Sequence, residues 1–273
     1  METGPFGHDW GVDRDPDAEP EPDTDTDTDG SGPAAAPRLG HGDLGYASLW
    51  VADVDRAAEF FSAVLGWRYG PASGPGGRHV EGLSVHHGLW GGFTRSTLFC
   101  CFAVADVAVA AARVRAAGGT AGRPHREPYG LLADCVDDQG VRFAVFEPPG
   151  GVGRGPARSA NGSVPGDLAY VTMEVEDSRR ARDFYAAVLG WRFSPGSVID
   201  GFGVDGVVPM FGLSGGHAGA ATVPLYRVVD VEAAVDRVRA AGGTASDPEG
   251  QPYGVTARCA DSQSTRFAVG QLR

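Results

Sequence analysis

The sequence predicts an α+β protein built from two copies of one domain, and three observations carry that reading. The first is a repeat at a constant offset of 124 residues: Val64-Leu65-Gly66-Trp67-Arg68 recurs as Val188-Leu189-Gly190-Trp191-Arg192, and Arg142-Phe143-Ala144-Val145 recurs as Arg266 to Val269. The offset never slips over roughly 100 residues, a length typical of one domain. The second is a strand-like apolar run ending in an Asp and followed by apolar residues at helical spacing, which occurs four times. The third is the glycine-punctuated series of short strand-like runs after each helix. Helices alternating irregularly with antiparallel hairpins give the α+β class.

Taken in order, residues 1–40 stand apart. They hold eleven acids and two bases, a net charge of −9 out of −12 for the chain. The stretch Asp23 to Asp29 alternates Asp with Thr and cannot bury apolar surface to offset its ordering entropy, so a disordered acidic tail is expected. It has neither the basic start nor the apolar stretch of a secretory signal. The first repeat unit, 43–148, opens with a strand through Tyr46. Asp53 then stands where the free N–H groups of a first helical turn need an acceptor. Val54, Ala57, Ala58, Phe61, Val64 and Leu65 form the apolar face of that helix, and Gly66 ends it in a left-handed turn. Strand-like runs follow at Trp67–Tyr69, Arg78–Ser84 and His87–Gly92. Asp106 opens a second helix whose apolar face is Val107, Ala110, Ala111 and Val114, with Gly118 beyond its end. Further runs lie at Thr120–Arg123, Gly130–Val136 and Val141–Glu147. After a linker at 149–166, rich in Gly, Pro and Ala, the scheme repeats over 167–271 with Asp177, Gly190, Asp230 and Gly242. Each copy is thus two strand–helix–strand–strand–strand modules.

Composition narrows the function. Outside the tail the chain carries 24 acids and 21 bases, with no basic stripe to hold nucleic acid. No run of about 18 apolar residues suggests a membrane span. Cys100, Cys101, Cys135 and Cys259 show no C-x-x-C spacing. Cys100 and Cys101 should point to opposite faces of a strand, and Cys135 and Cys259, repeat equivalents, read as small buried hydrophobes. A reduced, cytoplasmic protein is expected. No G-x-S-x-G, H-E-x-x-H or phosphate-loop motif is present, and no catalytic residue is assigned.

The paired βαβββ modules, the V-x-D helix start with its L-G-W end, and the V-R-A-A-G-G motif resemble the vicinal oxygen chelate superfamily, which includes glyoxalase I, extradiol dioxygenases and bleomycin-resistance proteins. The resemblance covers both copies and is similar to tandem actinobacterial glyoxalase-like proteins. It implies a cleft between the two modules of each domain, where the metalloenzymes of the family hold a divalent ion through His, Gln or Glu. Carried onto this chain, the ligand positions are Tyr46, Gly88, Phe99 and Ala144 in the first copy and Tyr170, Gly212, Val223 and Ala268 in the second. Phe, Val, Ala and Gly cannot coordinate, and a Tyr phenol titrates near 10. The expectation is therefore no metal and no cofactor.

Strand alternation then names the cleft linings. The first takes Tyr46, Ser48, Trp50, His86, Trp90, Phe99 and Cys101, with Ala47, Leu49 and Val51 facing away under the helices. The second takes Tyr170, Thr172, Glu174, Met210, Val223, Leu225 and Arg227. Glu174 and Arg227 are expected to offset one another's charge, and the more aromatic first cleft is expected to be the better ligand site. His86 reads as a lining residue, and His41, His79, His125 and His217 receive no role. The function expected is metal-independent binding of a small molecule, a metabolite or an antibiotic, in the glyoxalase/bleomycin-resistance manner. Two alternatives stand: a superfamily enzyme (lyase, dioxygenase or hydroxylase-like) with unusual metal ligands or an organic cofactor, and a structural or partner-binding protein with vestigial clefts. Beyond the small molecule, the partners expected are neither nucleic acid nor membrane, and the chain is expected as a monomer with paired domains or as a homodimer.

Overall fold

A computed structural model describes residues 39–70, 76–127, 130–153 and 162–273. The tail through residue 38 and residues 154–161 of the linker lie outside the described residues. Leu39 and Gly40, counted above with the tail, are folded: Gly40 donates its N–H to the Asp43 carboxylate at 2.7 Å, and Leu39 packs on the first cleft.

The first copy runs β1 (Leu44–Trp50), α1 (Val54–Leu65), β2 (Gly77–Val80), β3 (His86–Trp90), β4 (Thr97–Ala103), α2 (Val107–Ala116), β5 (Thr120–Ala121), β6 (His125–Glu127), β7 (Gly130–Val136) and β8 (Arg142–Glu147). The second runs β9 (Leu168–Glu174), α3 (Ser178–Leu189), β10 (Phe193–Pro195), β11 (Gly201–Val204), β12 (Met210–Ser214), β13 (Ala221–Arg227), α4 (Val231–Ala240), β14 (Thr244–Ala245), β15 (Glu249–Gln251), β16 (Gly254–Ala260) and β17 (Arg266–Leu272). Each copy forms one mixed sheet, ordered β2-β3-β1-β4-β8-β7-β5 and β10-β11-β12-β9-β13-β17-β16-β14. In each module the first strand lies parallel to the last, β1 to β3 and β4 to β8, and the two modules meet where β1 runs antiparallel to β4. The hairpin strands β6 and β15 fall in segments where proline and glycine break the apolar pattern. Trp67–Tyr69 contributes only an isolated bridge from Tyr69 to Val80.

The helices start where the acids require. Asp53 and Asp177 each accept two backbone N–H groups, and Asp106 and Asp230 accept one each, a cap being worth about 1 kcal/mol. Gly66 and Gly190 end their helices at φ 73° and 68°, the left-handed region open to glycine.

The two sheets turn one face each toward a single core that also takes all four helices. Phe60 packs edge-on against Phe267, Phe61 against Tyr226, Phe102 against Trp191, and Phe143 against Phe184, each pair joining the two copies. This explains why α1 buries Phe60, outside the face read from helical spacing. The helix is covered by its own sheet on one side and by the other copy on the next. Polar contacts repeat the two-fold relation. The Trp67 indole donates to the Gly166 carbonyl at 3.0 Å and the Trp191 indole to Gly42 at 3.1 Å. Gln263 grips the Asp53 backbone through both amide atoms, and Gln139 does the same at Asp177. Among the described residues no helix is long and apolar enough to cross a membrane.

Candidate functional site

The other face of each sheet is the cleft, and strand alternation places its residues as the sequence implies. Across the first sheet His86, Tyr46, Cys101, Ala144 and Asp134 form one row, and Gly88, Ser48 and Phe99 the next. His87 points the opposite way, into the shared core, where its Nε2 lies 3.0 Å from the Tyr226 hydroxyl. Burial drives the His87 pKa down to about 3, so the ring is neutral. Cys100 faces the same core while Cys101 faces the cleft, and all four cysteines are free and buried.

One of the four family metal positions in each cleft is a tyrosine, Tyr46 or Tyr170. The Tyr46 phenol lies against the Cα of Gly88, so that a methyl group there would collide with its oxygen, and the Tyr170 phenol lies in the same way over Gly212. Two of the four ligand positions in each cleft are thus one phenol and the glycine that makes room for it. Burial pushes the Tyr46 pKa up to about 12, against a smaller opposing effect of the Ser48 hydroxyl. The Tyr170 pKa is also raised, by burial and then by the nearby Tyr253 phenol. Neither is a phenolate at neutral pH. Phe99, Val223, Ala144 and Ala268 bring no donor atom. The residues of metal-binding type in the first row, His86, Cys101 and Asp134, stand on alternate strands, each about 10 Å from the next. Among the described residues no three His, Cys, Asp or Glu side chains gather as a metal site. The residues present do not fit the family's divalent ion.

The two clefts differ in what remains open. In the first, Trp50 stacks on Phe93 (4.1 Å between centroids, 7° between planes) and on Phe99 (4.9 Å, 10°). These rings join Cys101, Ala103, Leu132, Ala144 and Phe146 in a satellite core, with Tyr46, Trp90, Leu39 and Val152 packed against it. The aromatic side chains thus stack on one another, and the expected ring-to-ring slot is occupied by the protein itself. His86, at the mouth, is exposed. In the second cleft the equivalents Tyr170, Thr172, Glu174, Val223 and Ala268 all keep partial exposure, Met210 is 41% exposed, and Leu225 is the deepest.

The expected Glu174–Arg227 pair is not formed. Both residues face the cleft, but β9 and β13 are antiparallel: Glu174 pairs with Ala221 and Leu168 with Tyr226. The two side chains therefore stand at opposite ends of their strands, about 20 Å apart. Arg227 donates to the Leu272 carbonyl at 3.2 Å. Glu174 instead takes both outer nitrogens of Arg266, at 3.1 and 2.7 Å. His217 lies beside it, Nδ1 3.8 Å from Glu174 and Nε2 3.0 Å from the Ser214 hydroxyl. Ser214, His217 and Arg266 were absent from the sequence-derived lining. The offset of 124 residues was the available signal, because it sets Ser214 against Trp90, His217 against Phe93 and Glu174 against Trp50.

Comparison with known proteins agrees with this architecture. Residues 43–145 match the Glyoxalase/Bleomycin resistance protein/Dioxygenase superfamily, and residues 170–270 match a glyoxalase-like domain. The chain belongs to this superfamily as two domains in tandem. A relative within reach of sequence comparison is the anthracycline biosynthesis protein DnrV of Streptomyces peucetius, 27% identical, with 86% of this chain and 95% of the relative covered. Among solved structures of the superfamily, the 2,3-dioxygenase LapB from Pseudomonas sp. KL28 superposes with a TM-score of 0.64 at 14% identity, over 86% of this chain and 93% of its own. The Mn(II)-bound glyoxalase from Novosphingobium aromaticivorans gives 0.65 at 15% identity, over 86% and 83%. At such identities the structural likeness speaks for the fold alone.

Proposed function

We propose that the protein binds a planar aromatic small molecule without a metal ion, and that the second cleft is the main site. The observation that carries the metal-independent reading is the seating of Tyr46 over Gly88 and Tyr170 over Gly212, which occupies ligand positions with neutral phenols. The residual exposure of the second cleft lining supports its choice. Tyr170, Met210 and Tyr253 offer an apolar and aromatic rim there, and Thr172, Val223 and Leu225 a mixed floor, the composition of a small-molecule site. The name of the relative DnrV supports a ligand of the anthracycline type, a fused-ring aromatic. Aromatic contacts add about 0.5–1.5 kcal/mol each beyond burial, so two or three of them bring dissociation constants on the order of micromolar within reach.

The test is calorimetric titration of fused-ring quinones into protein dialysed against EDTA. Binding on the order of micromolar that is indifferent to chelation is expected. Binding that vanishes on chelation and returns with a divalent ion would overturn the metal-independent reading. Binding lost on Trp50→Leu but retained in Tyr170→Leu would move the site to the first cleft.

A further inference from the structure

The two clefts share one backbone and differ most sharply at one end. In the first domain that end is an aromatic cluster, with Phe93 stacked on Trp50 and Trp90 packed beside them. At the same three positions of the second domain stand His217, Glu174 and Ser214, joined in a polar chain. Arg266 completes it. Arg142, its repeat equivalent, faces a cleft without this acid, whereas Arg266 reaches Glu174 through both outer nitrogens and keeps 55% of its side chain exposed. Register fixes the arrangement. Ser214 and Glu174 are direct partners on β12 and β9, and Arg266 stands beyond β13 on the other flank of Glu174. His217 is 36% exposed and Glu174 16%, so the chain borders solvent at the open end of the cleft.

We propose, resting on the binding function above, that this chain reads a hydroxyl group on the planar ligand, a phenol or enol, and draws off its proton. The ligand O–H donates to the Ser214 hydroxyl, Ser214 passes its own proton to His217 Nε2, and the imidazolium so formed stands beside the Glu174 carboxylate. The ligand oxygen, now anionic, faces Arg266. One proton moves from ligand to His217, and no bond between heavy atoms forms or breaks. The charges favour this class over others. Arg266 and Glu174 cancel, so the site has no spare charge for a permanent cation or anion. A carboxylate would also have to compete with Glu174 for the same guanidinium. A neutral hydroxyl meets neither cost and finds an acceptor, a proton sink and a cation in sequence.

The experiment compares 2-hydroxyanthraquinone with its methyl ether, 2-methoxyanthraquinone, on the full-length protein at a pH where the free phenol is un-ionised. The phenol is expected to bind at least tenfold tighter than the ether, with bound absorbance shifted to the red as in the phenolate. Ser214→Ala, His217→Gln and Arg266→Met should each weaken the red shift, while Arg142→Met in the first domain leaves it intact. Thermal melts confirm that these partly exposed variants remain folded. Equal affinity for phenol and ether, or a red shift that survives His217→Gln and Arg266→Met together, would overturn the inference while leaving the binding function standing. Failure of both compounds to bind would remove the binding function and this inference with it.

Discussion

Replacing Phe61 by Tyr should stabilise the protein, because the two copies place the same buried carboxylate in unequal company. Asp137 accepts the backbone N–H groups of Gln139 and Val141 on one oxygen, at 2.9 and 2.8 Å, and the Tyr185 hydroxyl on the other, at 3.1 Å. Its repeat equivalent Asp261 accepts Gln263 and Thr265 N–H, both at 2.8 Å, but its second oxygen is buried without a partner. The residue that would serve it, 124 positions before Tyr185, is Phe61. The rings are related by the same two-fold: Tyr185 lies 5.8 Å from Phe143, and Phe61 lies 5.2 Å from Phe267. A hydrogen bond to a charged acceptor contributes about 1.5–3 kcal/mol. Crowding one oxygen into a packed core costs at least about 1 kcal/mol, so the net expectation for Phe61→Tyr is a gain of about 1 kcal/mol. The reverse change, Tyr185→Phe, leaves Asp137 in the position of Asp261 and should cost about 1.5–3 kcal/mol. Urea denaturation reads both as shifts of the midpoint at unchanged slope. If Phe61→Tyr destabilises while Tyr185→Phe is neutral, the empty second oxygen of Asp261 is not a deficit and the reasoning fails.

Three further outcomes follow from the same packing. His87, neutral in the core with a pKa near 3 against 6.5 in the unfolded chain, must be protonated on unfolding below pH 6.5; stability should therefore fall as pH drops, by about 2 kcal/mol between pH 7 and pH 5, and His87→Gln should lose that part of the slope in chemical denaturation at the two pH values. Gly212→Ala should displace the Tyr170 ring and cost about 1–3 kcal/mol by thermal melt, whereas the double change with Tyr170→Leu should recover much of it. Cleavage in the linker near residues 154–161 should leave the halves associated through their common core, so gel filtration of the nicked protein should elute both fragments together; separate elution of two folded halves would argue against that core.

The sequence made some of this legible and left some of it dark for identifiable reasons. Side-chain alternation is local, so the inward sets beginning at Tyr46 and Tyr170 could be read from the chain, as could the four Asp caps. Alternation gives a face but not an end. Glu174 and Arg227 were read onto one face and expected to pair, and only the antiparallel register of β9 and β13 shows that they lie at opposite ends. Whether an inward aromatic lines a slot or fills it depends on non-local stacking, and Phe93, which closes over Trp50, lies in a loop outside any strand pattern. His217, also in a loop, was given no role, and only the 124-residue offset that sets it against Phe93 could have pointed to it. Phe60 lay outside the face read from helical spacing because a helix inside a tandem repeat has a second partner, the other copy.

The division between repeated and diverged residues has a physical basis. Trp67 and Trp191, and Gln139 and Gln263, keep their identity across the offset, and their side chains hold one copy against the other, the Gln amides at the backbone of Asp177 and Asp53. Losing either indole strands a buried carbonyl in the joint, a cost of about 1–3 kcal/mol, and losing either Gln frees the backbone N–H and carbonyl at the start of the partner copy's first helix. The cleft faces carry no such reciprocal constraint, since each is packed only within its own sheet. Trp50, Trp90 and Phe93 in one copy can therefore stand where the other has Glu174, Ser214 and His217 without loosening the fold. The first cleft gains an aromatic satellite core by this divergence. The second lacks that apolar packing and carries solvent-reachable polar atoms instead, on a scaffold whose backbone is fixed by the common core. A stacked cluster such as the first stabilises its own domain and needs no ligand. An acid, a base and a cation held at the lip of a half-open cleft contribute little to folding, because exposed ion pairs are worth about 0–1 kcal/mol. Folding energy therefore does not account for their placement, and under the proposed binding function the second cleft, at the end marked by Arg266, is where a ligand should be sought first.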